Sequence, residues 1–129
     1  MASWRSRILT LQATYYILTG VWPLVHFASF ERVTGPKTDD WLVRMVGLLV
    51  VLIGVTLAVA VRRNHVRTLE ITILAAGAAM AFSCIDIWYA LSGRISLIYL
   101  TDAALELVLL VTLILTSRSR PDNSGTSKP

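Results

Sequence analysis

The sequence has few of the residues that build common catalytic and metal sites. It contains one cysteine, Cys84, and two histidines, His26 and His65. A lone cysteine excludes an intramolecular disulfide and a CxxC redox pair. The histidines occur in no HxxxH or HExxH pattern, so we predict no metal site and no cofactor. No glycine-rich phosphate loop or nucleophile elbow is present either, so the sequence gives no support for the usual nucleotide-binding and hydrolase motifs.

Charged residues are also scarce, and long apolar runs take their place. Charged residues make up 16% of the 129 residues, hydrophobic residues make up 55%, and the mean hydropathy is +0.65. A helix needs about 20 apolar residues to cross a bilayer. Four runs are long enough, at residues 8–27, 41–61, 69–91 and 95–116, and they lack the alternation of a membrane β-strand. We therefore predict one all-α domain, residues 1–116, forming an integral membrane four-helix bundle with antiparallel neighbouring spans.

The basic residues give an orientation to these spans. The net charge of +4 is concentrated at the span ends, which membrane topology explains without a nucleic-acid partner. Four basic residues flank the outer ends, and eight flank the ends shared by the two termini: Arg5, Arg7, Arg62, Arg63, Arg67, Arg118, Arg120 and Lys128. We predict that both termini are cytoplasmic in a bacterial inner (plasma) membrane, and that residues 117–129 form a disordered cytoplasmic tail.

Two carboxylates interrupt the fourth span. Asp102 and Glu106 are four residues apart, so a helix places both on one face, and Tyr99 continues that stripe. Two acids at the centre of a membrane helix cost about 5–7 kcal/mol, whereas the nine aliphatic residues within 105–115 return only about 3–5 kcal/mol. We therefore expect both acids to face the interior of the bundle.

The other spans offer polar groups that can meet these acids. The first span carries Tyr15, Thr19 and His26 on a polar stripe that also includes Gln12 and Trp22. In the second span Arg44 either reaches outward to Asp40 or turns inward as a counter-charge, and Gly47 and Gly54 on the same face allow close helix packing. In the third span Asp86 either approaches the outer head groups or faces neighbouring helices. The predicted site comprises Asp102, Glu106, Asp86, Arg44, His26, Tyr99, Tyr15 and Thr19.

We expect Glu106 to lie near the membrane midplane, level with Thr19 or Tyr15. A carboxyl at that depth is expected to be protonated or hydrogen-bonded by these hydroxyls, because desolvation disfavours its charge. His26 is expected to be a titratable partner near the outer mouth of the site.

The segment TYYILTGVWPLVHFASFERVTGPKTDDWLVR, followed by an apolar helix that contains glycine, resembles small bacterial four-helix membrane proteins. The likeness to DoxX-like proteins extends over the four spans in size and hydropathy. A looser architectural likeness is to the EXPERA group of sterol isomerases and sigma-2-type receptors, whose four helices bury acids in a ligand cavity. Asp86, Asp102 and Glu106 correspond to those acids in kind, and no catalytic residue is carried across.

Three functions remain open at this point. The leading hypothesis is a polar, acid-lined intramembrane cavity that binds a small amphipathic or cationic ligand, or relays protons. The second is an accessory subunit whose buried polar groups hold a homo-oligomer or a larger membrane complex together. The third is a membrane enzyme on a lipid-like substrate, with Glu106 or Asp102 as general acid and base assisted by His26.

Overall fold

The computed structural model describes residues 4–118, with side chains for residues 4–116. This part of the chain contains no strand and forms five helices: α1 (Trp4–Val25), α2 (Phe27–Thr34), α3 (Asp40–Arg62), α4 (Leu69–Leu91) and α5 (Tyr99–Arg118). All but α2 are long and apolar enough to cross a membrane. The predicted all-α membrane bundle is therefore confirmed. Residues 117 and 118 of the predicted tail belong to α5, and the rest of that tail lies outside the described residues.

The four long helices form two closely packed pairs, α1 with α3 and α4 with α5. Smaller contacts of α1 with α5 and of α3 with α4 join the pairs into a bundle. We call one end of this bundle the α2 end, because α2 follows α1 there and α3 and α5 begin there. We call the other the Arg5 end, because α1 and α4 begin there.

Two boundaries at the α2 end differ from the prediction. The segment 28–40, predicted as a loop, contains most of α2, whose start is capped by His26 Nδ1 accepting a hydrogen bond from Ser29 N at 3.2 Å. A further difference is that α5 begins at Tyr99, whereas we predicted that the fourth span begins at residue 95. Asp102 consequently lies in the first turn of α5 and Glu106 about one turn further along the helix.

Glycines bring α1 and α3 into close backbone contact. A Cβ atom at Gly20 would lie 2.6 Å from the carbonyl oxygen of Gly47, and one at Gly47 would lie 2.7 Å from the carbonyl oxygen of Gly20. Gly54 faces α1 in the same way, and a Cβ atom there would lie 2.9 Å from the carbonyl oxygen of Ala13. The prediction that small residues of the second span admit a neighbouring helix is confirmed, since any larger side chain would push the two backbones apart.

An apolar core and a buried arginine close the Arg5 end. The core contains Leu9, Ala75 and Leu113, contributed by α1, α4 and α5. Arg5 is only 3% exposed, and its guanidinium donates hydrogen bonds to Val66 O at 2.5 Å and to Leu113 O at 3.4 Å. It also donates to the side chains of Thr72 and Thr116. The sequence analysis assigned Arg5 only a topological role, whereas in the structure its hydrogen bonds join α1 to α4 and α5.

Candidate functional site

Helices α4 and α5 bring three acids to the same region of the bundle, in its α2 half. Asp86 of α4 is 7% exposed and lies within hydrogen-bonding reach of Asp102 of α5, which is half-buried. Glu106 lies one turn deeper on α5 and is 1% exposed. We call Asp86, Asp102 and Glu106 the carboxyl cluster. The prediction that Asp102 and Glu106 avoid the acyl chains and turn toward the other helices agrees with this placement.

Two consecutive tyrosines of α1 donate to this cluster. The Tyr15 hydroxyl donates to Asp102 Oδ1, and the Tyr16 hydroxyl donates to Glu106 Oε2 at 2.7 Å. Gln12 Nε2 in turn donates to the Tyr16 hydroxyl at 3.1 Å and to Ala75 O at 2.9 Å. A continuous chain of hydrogen bonds therefore runs from the backbone of α4 through α1 to Glu106 on α5.

Among the described residues, no cation is found among the charged groups that act on Asp86 and Glu106. The charged groups that act on Asp86 and Glu106 are other carboxylates, and neither Arg44 nor His26 is among them. Asp86 Oδ2 is buried and accepts no hydrogen bond from any described residue. Gln12 Oε1, at the other end of the hydrogen-bond chain, is also buried and accepts no hydrogen bond from any described residue. Both atoms can accept a hydrogen bond from a proton-bearing group.

Arg44, His26 and Thr19 are not brought to the acids. Arg44 is exposed, and its guanidinium carbon lies 5.2 Å from the centre of the Phe27 ring, so the role of counter-charge is a correction to the prediction. His26 is exposed and uses Nδ1 to cap α2. The Thr19 hydroxyl donates to the carbonyl of Tyr15 at 2.8 Å, within its own helix. These three side chains interact with neighbouring groups on their own or the adjoining helix. Sequence spacing does not distinguish such local interactions from membership of a shared site.

Tyr16 is the site residue that the sequence analysis missed. It lies beside the predicted stripe of Gln12, Tyr15 and Thr19, and it was assigned no partner. The available signal was its position four residues after Gln12, because residues at that spacing are neighbours on a helix surface.

Tyr99 faces a lysine at the α2 end. The Lys37 ammonium lies 5.4 Å from the centre of the Tyr99 ring and 5.7 Å from that of Phe30. It donates to Gly35 O at 2.8 Å and to both Thr34 O and Thr34 Oγ1 at 3.1 Å. Burial lowers the pKa of the Lys37 side chain, and neighbouring Glu31 acts in the opposite direction. We call Phe30, Thr34, Gly35 and Tyr99 the Lys37 cage.

Two surface depressions open at the α2 end, with volumes of about 670 and 460 Å³. The larger is lined by Thr38, Asp40, Trp41, Arg44, Met45 and Leu48, and the smaller by Ala28, Glu31, Arg32, Gly35 and Pro36. Neither is lined by the carboxyl cluster, whose side chains are packed against tyrosines. The described residues also contain no group of three or more His, Cys, Asp or Glu side chains that could hold a metal ion.

No protein family, curated protein or solved structure matches this chain. What the protein does must therefore be inferred from the geometry of the carboxyl cluster and its surroundings.

Proposed function

We propose that this integral membrane protein takes up and releases protons at the carboxyl cluster through its α2 end. The observation that carries the proposal is the position of Asp86 within hydrogen-bonding reach of Asp102. Two carboxylates at such a separation repel each other, and a proton shared between them converts the repulsion into a hydrogen bond. With no cation acting on Asp86, a proton is the simplest partner that balances the pair.

Exposure along the site supports entry from the α2 end. Asp102 is half-buried and Glu106 is almost fully buried, so the two acids mark successive depths on α5. The hydroxyls of Tyr15 and Tyr16 donate hydrogen bonds to these acids, and a phenol oxygen can also accept a hydrogen bond. Beyond Gln12 the apolar core containing Leu9 intervenes before Arg5. We therefore propose a site that loads and unloads from one end rather than a path across the membrane.

The orientation of the protein in the membrane and its family resemblance are part of the same proposal. The eight-to-four distribution of basic residues supports cytoplasmic termini in a bacterial inner membrane, which would place the α2 end outside the cytoplasm. The likeness to DoxX-like proteins in size and hydropathy is consistent with that location. A small amphipathic or cationic ligand that binds the cluster would compete there with the proton.

Infrared difference spectroscopy in lipid tests the proposal directly, because a protonated carboxyl has a carbonyl stretch that an ionised one lacks. We expect bands from the carboxyl cluster to change with pH in the wild-type protein. Glu106→Gln should remove one band, and Asp102→Asn should change the band of its partner Asp86. Glu70→Gln, an exposed acid in the first turn of α4, is the control and should leave these bands unchanged. Identical spectra for wild type and both site variants would contradict the proposal.

A structural role is the second candidate, and the packing of Glu106 favours it. This carboxyl is 1% exposed and is bound by Tyr16 instead of lining either surface depression. A polar contact of this kind holds helices together within a bundle, and it can do so in an accessory subunit of a complex or a homo-oligomer. On this reading Glu106→Leu changes assembly and the recovery of a stoichiometric partner, while no band of the carboxyl cluster changes with pH in the wild-type protein.

A further inference from the structure

The Lys37 cage has the composition of a binding site for a primary ammonium group. An ammonium carries three N–H donors, and the cage supplies three oxygen acceptors, Thr34 O, Thr34 Oγ1 and Gly35 O, at 2.8–3.1 Å from the Lys37 nitrogen. The rings of Phe30 and Tyr99 add the attraction of aromatic faces for a cation. Gly35 has φ +98°, a conformation that side chains disfavour, and it supplies one of the three acceptors.

The cage lies next to the carboxyl cluster, because its Tyr99 is close to two acids of the cluster. Tyr99 contacts the Lys37 ammonium with its ring, and it is close enough to Asp86 and Asp102 to feel their charge. It is also within hydrogen-bonding reach of Thr34, and it precedes Asp102 by one turn of α5. Besides Tyr99, the charged group that faces Lys37 is Glu31 of α2, whose Oε1 accepts from the Lys37 backbone N–H at 3.0 Å.

We propose that the Lys37 side chain is a tethered occupant of a primary-ammonium site at the mouth of the carboxyl cluster, and that a free primary amine displaces it. This inference rests on the proposed function for its purpose, since the ammonium group that occupies the cage covers Tyr99, which precedes Asp102 by one turn of α5. The ligand class is a small primary alkylammonium. Quaternary ammonium ions lack the N–H donors that the three oxygens require.

Hydroxyl-radical labelling of Tyr99, read by mass spectrometry on the full chain in lipid, measures whether the cage is occupied. Lys37→Ala should raise Tyr99 labelling severalfold, because it removes the side chain that lies over the ring. Methylammonium should reverse that rise, and tetramethylammonium at the same concentration should not. The matched control is Arg32→Ala, which removes an exposed charge from α2, and Tyr89 provides the internal reference. Lys37→Met, which keeps the aliphatic stem, serves as a second variant for the methylammonium comparison.

Equal Tyr99 labelling in wild type and both Lys37 variants, or equal effects of the two ammonium ions, would overturn the inference. Its failure is distinguishable from failure of the proposed function. If the bands of the carboxyl cluster change with pH while Tyr99 labelling stays constant, the proton site stands and the ammonium site falls. If methylammonium protects Tyr99 while no band of the cluster changes with pH, the ammonium site stands and the proton site falls.

Discussion

Removal of the Tyr16 hydroxyl should weaken the bundle through two partners at once. In Tyr16→Phe, Glu106 Oε2 loses its donor at 2.7 Å and Gln12 Nε2 loses an acceptor at 3.1 Å, in a region where Tyr16 and Glu106 are each 1% exposed. A buried group left without a partner costs about 1–3 kcal/mol in soluble proteins. Side-chain hydrogen bonds within membrane bundles have smaller coupling free energies, which average about 0.6 kcal/mol and reach at most about 1.7 kcal/mol. We therefore expect the free energy of unfolding to fall by about 1–2 kcal/mol.

The assay is reversible unfolding by SDS in mixed micelles, followed by circular dichroism, on a double-mutant cycle with Glu106→Leu. If the hydrogen bond is formed, the double variant loses less than the sum of the single variants, by about 0.6–1.7 kcal/mol. Tyr89→Phe is the control, because Tyr89 is 37% exposed, and it should change stability by no more than about 0.5 kcal/mol. Additivity of the two site variants within about 0.3 kcal/mol would refute the hydrogen bond as a source of stability.

Two further pairs of substitutions, each with its control, test the packing of the bundle by the same unfolding measurement. Gly47→Ala places a methyl group 2.7 Å from a carbonyl oxygen of α1 and should cost about 1–3 kcal/mol. In Gly77→Ala the added methyl group has no atom within 4 Å, so this control should stabilise α4 by up to about 1 kcal/mol. Equal effects of Gly47→Ala and Gly77→Ala would contradict the close α1–α3 contact. Arg5→Met should cost about 1.5–3 kcal/mol because it removes charged donors to buried acceptors. Arg7→Met replaces an exposed arginine and should change the free energy of unfolding by no more than about 0.5 kcal/mol. A loss as large as that of Arg5→Met would show that only net charge matters.

The Arg5 and Arg44 side chains show how far sequence reasoning extends to individual charges. Arg44 lies about one turn inside the start of a predicted span, and Arg5 lies just before the start of another. The sequence analysis left Arg44 with either an outward role near Asp40 or an inward role as a counter-charge, and it assigned Arg5 a topological role. In the structure Arg5 is buried among carbonyls and Arg44 lies exposed over Phe27. A long cationic side chain takes the acceptors that its neighbours happen to provide, and those neighbours come from other helices.

The sequence by itself determined that the chain is a membrane bundle of four long helices, because apolar length and hydropathy depend only on the order of residues along the chain. It also determined that Asp102 and Glu106 share a helix face directed away from lipid, since their spacing and transfer cost are local properties. Only the tertiary structure decided which groups meet them. Tyr16 rather than Tyr15 or Thr19 binds Glu106, and Arg44 lies over Phe27 rather than beside the acids. Those pairings follow from the rotation and depth of each helix, which glycine contacts and helix ends set together.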